Sequence, residues 1–325
     1  MSELPGFDHL LIVPRLRVQN ANAISSPLTH GFPSMTAFIG LMWALERKAR
    51  TEDIDLQFNA VAVVVHDHQE QITEGGFVNG FRLTRNPIDK DGKSSAIVEE
   101  GRIHLELSLV FAVQGPALAS TDKAGLAQRI TDLLSQMRIA GGSIIPGTRQ
   151  RPLLQPLAGS VDDKRDNFQS AMWRLLPGFV LVERHDLLTL RHAELQSRDP
   201  NASPLNAWLS LSRINWRAPE AVVEDEGVVK KQDWLNDRQH LGWIVPIPVG
   251  YVGLSELQPP GSVSSARDQS TPFRLVESLF SIGQWISPHR LQSADHLLWY
   301  ADSDPERGLY RCRNHYQPET DYDFD

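Results

Sequence analysis

The 325-residue sequence predicts an α+β protein, with a β-α-β-β-α-β domain at residues 1–184 and a second, mixed α/β lobe at 185–325. Three observations predict this class. Residues 61–65 form a continuous, mostly β-branched run typical of a buried strand. Apolar side chains alternate with polar ones over residues 103–113, the pattern of a longer strand. Two segments with apolar residues at helical spacing follow N-cap signals and lie between the predicted strands.

The first three elements are a strand, a helix and a strand. The strand at residues 10–13 is short and apolar, and the helix begins behind Ser34. Its apolar positions recur at helical spacing between residues 35 and 45, and its last turn is basic, which the helix dipole favours at that end. The buried run at residues 61–65 supplies the next strand.

The second three elements repeat this order. The alternating strand at residues 103–113 comes first, and Asp122 offers an N-cap to a second amphipathic helix. We predict that this helix stops at Gly141-Gly142, and that a further strand occupies residues 179–182. The order is that of a ferredoxin-like domain, which RNA-recognition modules also use.

The segment between the second and third strands, residues 66–101, is too long for a simple turn. It contains Arg82, Arg85 and two lysines together with Asn-Pro and Asp-Gly turn signals. The sequence therefore predicts a long basic β-hairpin that projects from the sheet.

The second lobe has weaker patterns. We predict helical patches at 185–216, an acidic linker at 217–233, a proline-interrupted edge strand at 242–251, a helix at 272–285, a strand at 308–313 and an acidic tail at 314–325. Four tryptophans of this lobe are candidates either for a partner surface or for the core: Trp208, Trp216, Trp234 and Trp243.

Composition excludes several classes of function. Cys312 is the single cysteine, so neither an internal disulfide nor a cysteine-based zinc site is expected. No signal peptide and no apolar run of membrane-spanning length is apparent, which predicts a cytoplasmic protein without membrane contact. The net charge of −8 argues against non-specific coating of nucleic acid. Because the acidic residues concentrate at 220–226 and 319–325, the net charge does not exclude a local basic groove in the first half of the chain.

The most informative segment is QNANAISSPLTHG, residues 19–31, which we interpret as a polar loop between the first strand and the first helix. Core packing does not require amides and hydroxyls there. With the two preceding arginines, this region supplies donors for phosphates and amides for unpaired base edges: Arg15, Arg17, Gln19, Asn20 and Asn22. The strand at 103–113 lacks the aromatic pairs of an RNA-recognition motif, so base stacking across the sheet is not predicted.

Other clusters have weaker functional interpretations. His66 and His68 resemble a metal pair but lack a third ligand, so solvent-facing histidines are favoured and no metal or other cofactor is expected. Ser25 and Ser26 with His30 suggest a nucleophile and base, but a turn-stabilising role fits better because no orienting acid is recognisable. Gly141-Gly142 is either a helix C-cap or a turn that lets an RNA backbone approach closely.

Several segments together resemble a known family. The chain is similar along almost its whole length to the second subunit of the type I-F CRISPR-associated Csy family, through QNANAISSPLTHG, LTRNPIDKDG, AIVEEGRIHLELSL, MRIAGGSIIP, RLLPGFVLV, SRINW, GWIVPIPVGY, SARD, SPHR, LLWY and GLYR. The acidic segments at 217–233 and after residue 313 depart from this pattern.

The resemblance implies an RRM-like fold of the RAMP type and a non-catalytic role. In that family the subunit pairs with the large subunit of the Csy (Cascade) surveillance complex. Together they hold the 5′ handle of the CRISPR RNA (crRNA) at the end of a filament of backbone subunits, which supports target DNA binding in antiviral defence. The residues then expected to face RNA are Arg15, Arg17, Gln19, Asn20, Asn22, Ser25, Ser26, Arg82, Arg85, Gly141 and Gly142.

Two alternatives remain. A metal-independent endonuclease that processes precursor crRNA would need a general base near a 2′-hydroxyl, and His30 or His104 is the candidate. A purely structural subunit would make no RNA contact, and the loss of Arg82 and Arg85 would then leave guide retention unchanged.

Overall fold

The computed structural model describes residues 3–318 apart from 77, 86, 89–91, 95, 146–149, 158, 218–233, 239, 265 and 267. The predicted acidic linker therefore lies almost entirely outside the described residues, as does the end of the predicted acidic tail. None of the helices in the described part is both long and apolar enough to cross a membrane.

Strands dominate the described residues. They are β1 (His9–Asn22), β2 (Ile24–Ser26), β3 (Thr29–His30), β4 (Gln57–Glu70), β5 (Ile72–Gly75), β6 (Val78–Arg85), β7 (Ile97–Glu100), β8 (Arg102–Gln114), β9 (Arg138–Ile139), β10 (Gly142–Ile145), β11 (Leu153–Pro156), β12 (Phe179–Glu183), β13 (Trp216–Arg217), β14 (Leu235–Asn236), β15 (Ile244–Gly253), β16 (Val276–Ile286), β17 (Trp299–Asp304) and β18 (Leu309–Asn314). The helices are α1 (Met35–Thr51), α2 (Lys123–Ser135), α3 (Val161–Trp173), α4 (His185–Arg198), α5 (Pro204–Ser212) and α6 (Ala294–Leu297).

The α+β class is confirmed, and so are both predicted helices of the first half. Ser34 caps α1 by accepting from the Thr36 amide, and Asp122 caps α2 by accepting from the amide of Gly125. Each cap satisfies an amide that has no partner within its own helix. The three central strands lie side by side in the order β4-β8-β1, each antiparallel to its neighbour.

The prediction that residues 19–31 form a loop is wrong. β1 continues to Asn22 because β8 and β10 pair with it on its two sides, through Asn22 opposite Arg102 and Gln19 opposite Ser143. Only the following residues turn, as the small hairpin β2–β3. Long-range pairing therefore overrides the loop-like composition of this segment.

The last two elements of the first half also differ from expectation. α2 ends at Ser135, and Gly141 instead forms the turn between β9 and β10, where Ala140 and Gly141 both have positive φ. The strand predicted at 179–182 exists as β12, but it pairs with β4 and β16. The outer neighbours of β1 are β10 and β11.

The long insertion is a three-stranded sheet, β5-β6-β7, and not a simple hairpin. It continues directly from the ends of β4 and β8 through Gln71 and Gly101. A side chain at Gly101 would lie 2.7 Å from Ile24 and 3.0 Å from Phe81, so this glycine lets the insertion pack against the β2–β3 hairpin.

In the second lobe the helical patches and the strands at 242–251 and 308–313 are confirmed as α4, α5, β15 and β18. The helix predicted at 272–285 is wrong, because most of that segment forms β16 between β12 and β15. β15 is an edge strand only before Gly250, because its later residues also pair with β18. Its prolines are tolerated because β18 pairs with it only from Gly250 onward, beyond Pro248.

One 11-stranded sheet joins both halves of the described chain. β4 pairs with β17 at Val61 and with β12 at Val64 and Val65, so β4, β12, β16, β15, β18 and β17 close into a ring. A boundary between two lobes at residue 184 stays a prediction, and this sheet runs across it.

Both faces of the central sheet are covered, but to different extents. Helices α1 and α2 pack on one face, against Leu11, Val63 and Phe111 among others. On the other face α3 and the α6 region pack against Leu10, Ala62 and Val110. Beyond these residues the second face becomes polar. We call the polar part of it, carried by the ends of β1, β8, β9 and β10, the open half-face.

Candidate nucleic-acid interface

The open half-face begins where apolar residues stop alternating along β1 and β8. On β1, Leu10 and Ile12 are buried beneath α3. A bulge between Val13 and Leu16 then shifts the alternation by one residue, so that Arg17 and Gln19 lie on the same face and are exposed. On β8 the change is from Val110 through Ser108 and Glu106 to His104 and Arg102. Since side chains on one face of a strand recur every two residues, the exposed groups form a continuous polar surface next to the core.

A polar pocket of about 410 Å³ lies on this surface, between the sheet and the insertion. Its lining residues are Gln19, Asn20, Gln71, Arg82, Thr84, Glu100, Arg102, Arg138, Gly141 and Ser143. The three arginines face one carboxylate, and that carboxylate, on Glu100, forms an ion pair with Arg102 at 2.8 Å. The pocket therefore keeps excess positive charge beside amide and hydroxyl groups.

Strand register accounts for this convergence. Asn22 lies opposite Arg102, Gln19 opposite Ser143, and Ser143 opposite Arg138, so the row crosses β8, β1, β10 and β9 in turn. Arg82 reaches the same pocket from β6, where it lies opposite Glu100 on β7. Four of the residues predicted from the sequence are thus brought together: Gln19, Asn20, Arg82 and Gly141.

The two adjacent glycines have different structural roles. Gly141 has φ +79° and open space at the position of a Cβ, so its backbone faces the pocket without obstruction. A Cβ on Gly142 would instead lie 2.7 Å from the amide nitrogen of Ala21 and 2.8 Å from the carbonyl oxygen of Gln19. Gly142 therefore permits β10 to approach β1, and the helix C-cap interpretation of this pair is wrong.

Arg15 lies away from the pocket and supports the sheet. Its guanidinium donates to Glu106 at 2.8 Å and to the carbonyl oxygens of Leu176 and Pro177 at 3.3 and 3.4 Å. Its backbone amide donates to the hydroxyl of Ser108, which in turn contacts His66 Nε2 at 2.7 Å. These contacts use several of its donors and fix the segment before β12 to the ends of β1 and β8.

His66 in this cluster is held neutral. Its Nδ1 lies 2.6 Å from the carbonyl oxygen of Pro177, which accepts only, so Nδ1 bears the proton and Nε2 accepts from Ser108. Burial lowers the pKa of His66 from its ordinary value of 6.5, and the Arg15 guanidinium acts in the same direction, against the Pro177 hydrogen bond and Glu106.

This lowered pKa predicts a pH dependence of stability. The unfolded chain gains the proton first as pH falls, so the contribution of His66 is complete above about pH 6.5 and is lost as pH falls through its lower folded-state pKa. We expect His66→Gln to reduce the decline in the free energy of unfolding over this window, as measured by urea denaturation. His68→Gln, at an exposed neighbouring position, is the matched control. An unchanged decline in His66→Gln would contradict the prediction.

The remaining predicted residues lie outside the pocket. Arg17 is exposed on β1 beside it, two residues from Gln19, and Arg85 projects from the face of β6 opposite to Arg82 and Thr84. The side chain of Asn22 bonds to the backbone of Ile24. Ser25 and Ser26 both bond to the Thr29 hydroxyl, at 2.8 and 2.7 Å, which agrees with their turn-stabilising interpretation.

The histidines do not assemble a metal site within the described chain, where no group of three or more metal-binding side chains occurs. His30 contacts Glu70 at 3.0 Å, and the Nδ1 atom of His104 accepts a hydrogen bond from the backbone amide of Asn20 at 3.1 Å. Because that lone pair is engaged, Nδ1 of His104 is not available as a base.

The residues predicted to face RNA did not include Arg138 and Ser143, nor Arg102. For Arg138 and Ser143, the sequence contained a signal that could have been used. Ala140-Gly141 forms a two-residue hairpin turn, which places Arg138 across from Ser143. Arg102 extends the same alternation that puts His104 and Glu106 on the polar face of β8.

Comparison with known proteins identifies a matching family and a similar protein. Residues 11–312 match the family described as CRISPR-associated protein (Cas_Csy2). The chain is also similar to the CRISPR-associated protein Csy2 of Pseudomonas aeruginosa (strain UCBPP-PA14). The two are 44% identical over 309 residues, which cover 93% of this chain and 94% of that protein.

Proposed function

The chain belongs to the Csy2 family of CRISPR-associated proteins, the second subunit of type I-F Csy complexes, and we propose that it binds the 5′ handle of crRNA without cleaving it. The observation that carries this proposal is the arginine-lined pocket on the open half-face. It presents three guanidinium groups together with amides, a hydroxyl and an unobstructed glycine turn.

These groups suit single-stranded RNA. Guanidinium groups bind phosphates and stack on bases, while side-chain amides such as those of Gln19 and Asn20 bond to the edges of unpaired bases. No aromatic side chain lines the pocket among the described residues. Recognition would therefore depend on hydrogen bonds and charge more than on the ring stacking used by RNA-recognition motifs.

The same geometry favours a non-catalytic role over the endonuclease alternative. His30, one of the two candidate bases, lines a different cleft from the three arginines, and His104 uses Nδ1 to accept from a backbone amide. Neither arrangement resembles a base aimed at a 2′-hydroxyl beside bound phosphates.

The proposal extends to the assembly. The subunit would pair with the large subunit of the complex, cap the filament of backbone subunits in the cytoplasm and contribute indirectly to target DNA binding. Exposed Trp216, Trp234 and Trp243 are candidate partner contacts, whereas Trp208 is buried. An RRM-like first domain is part of this proposal, supported by the strand order β4-β8-β1 and by α1 and α2 on one face.

Filter binding tests the proposed function. The chain is co-expressed with the large subunit of its complex, purified, and titrated with crRNA that has or lacks its 5′ handle. We expect an intact heterodimer whose affinity depends on the handle and which leaves the RNA at full length.

Two outcomes would contradict this expectation. Equal binding of both RNAs, or the absence of a heterodimer, would favour a structural subunit without handle contact. Shortened RNA products that disappear in the His30→Ala and His104→Ala variants would favour the endonuclease.

A further inference from the structure

A second cleft, of about 610 Å³, lies beside the last residues of β4, beyond the point where β4 pairs with β12. We call it the aromatic cleft. It is bordered by β15 and by the segment that leads into α1, and its lining includes Ile72 and Ile103. Ile103 points to the face of β8 opposite to Arg102, so this part of the cleft lies behind the arginine-lined pocket. Its volume falls within the range of about 300–1,000 Å³ that is typical of ligand pockets.

Aromatic rings connect this cleft to the core. Phe38 is fully buried and stacks on Phe32 at 5.5 Å, and Phe32 meets Trp285 edge to face at 5.1 Å. Trp285 lies 6.2 Å from Trp243, which lies 5.6 Å from Phe179. The last two rings form the rim, where 53% of Trp243 and 44% of Phe179 is exposed. Large exposed rings that are fixed by a buried cluster are typical of binding surfaces.

The charge of the cleft is acidic. Asp67 and Glu70 line it, and none of its described lining residues is Lys or Arg. Within the described chain Asp67 forms no ion pair, and its carboxylate accepts only from the amide of His68. Glu70 contacts the imidazole of His30, whose side chain is 66% exposed. The cleft therefore combines two carboxylates with the faces and edges of several aromatic rings.

We propose that the aromatic cleft binds a segment of a partner protein that inserts an arginine or lysine side chain between apolar neighbours. The cation is attracted by the carboxylates and by the ring of Trp243, while the apolar neighbours cover the exposed rim. RNA fits this cleft poorly, because the carboxylates repel phosphates and no Lys or Arg among its described lining residues offsets them. The proposal rests on the proposed function only for its choice of partner, the protein subunits of the same complex.

A peptide assay tests the proposal without RNA. Short overlapping peptides that cover the other subunits encoded beside this chain are screened against the purified full-length protein. We expect a peptide with a central Arg or Lys to bind saturably, as measured by fluorescence anisotropy. Replacing its Arg by citrulline, or its Lys by norleucine, should weaken binding about tenfold. Trp243→Ala and Asp67→Asn should each weaken it to a similar extent, whereas Trp173→Ala, at an exposed ring on α3, should not.

Three results would overturn the proposal. The first is that replacing the Arg or Lys of a bound peptide does not weaken its binding. The second is that the best peptide binds the Trp243→Ala variant as tightly as the unchanged protein. The third is that handle RNA displaces the peptide to the same extent as the RNA binds the protein, which would assign the cleft to RNA. Because Asp67 and Trp243 do not line the arginine-lined pocket, handle binding measured separately distinguishes failure here from failure of the proposed function.

Discussion

Replacing both Arg102 and Arg138 with alanine should lower the affinity of the purified heterodimer for handle-bearing RNA by about 100-fold. A hydrogen bond to a charged group contributes about 1.5–3 kcal/mol, and 1.4 kcal/mol corresponds to tenfold, so each arginine accounts for about tenfold or more. The loss of Arg102 also leaves Glu100 without its 2.8 Å ion pair in the pocket. Because two phosphate contacts disappear, the slope of log affinity against log salt should fall by about 1.4.

A second double variant, which removes two arginines away from the pocket, serves as the control because it changes the net charge by the same amount. Arg198 and Arg307 are exposed on α4 and at the turn between β17 and β18, away from the pocket, and each forms an ion pair with a neighbour on its own segment. Arg198→Ala with Arg307→Ala should leave both the affinity and the salt slope within error. Equal losses in the two double variants would mean that net charge, and not the pocket, governs RNA binding.

Gly142→Ala should destabilise the protein by about 3 kcal/mol and abolish handle binding. The added Cβ would lie within 2.8 Å of three backbone atoms of β1, which belong to Ala21 and Gln19. Inserting a methyl group into a closely packed site costs about 1–3 kcal/mol, and the upper end applies because a paired backbone yields less than a flexible side chain. Urea denaturation measures the free energy of unfolding, and filter binding measures the loss of RNA affinity that displacement of Ser143 and Arg138 would cause.

The adjacent glycine supplies the control. Gly141 has positive φ and no atom within 4 Å of a Cβ position, and asparagine tolerates this backbone region well. Gly141→Asn should therefore keep nearly all of the stability of the protein. If both variants retain wild-type stability, β10 does not approach β1 as closely as the structure indicates.

Local patterns in the sequence were sufficient for much of the fold. Helices α1 and α2 and strands β4 and β8 were predicted because their periodicity and N-caps are contained within one segment of chain. β16 was predicted as a helix because its apolar residues permit both spacings, and only the pairing with β12 and β15 selects a strand. Such partners lie many residues away and leave no local signal.

Local sequence patterns identify the family, the central strands and helices, and part of the candidate site, because amides, arginines and glycines in polar segments can be recognised from the sequence alone. Only the tertiary structure decided which of them meet. Arg15 and Arg17 are two residues apart, yet Arg15 is bound to Glu106 and carbonyl groups while Arg17 stays exposed. Arg102 and Arg138 converge because register aligns β8, β1, β10 and β9, and Arg82 joins them from β6, where it lies opposite Glu100 on β7. Register depends on the burial of whole strand faces, a property that no single segment contains.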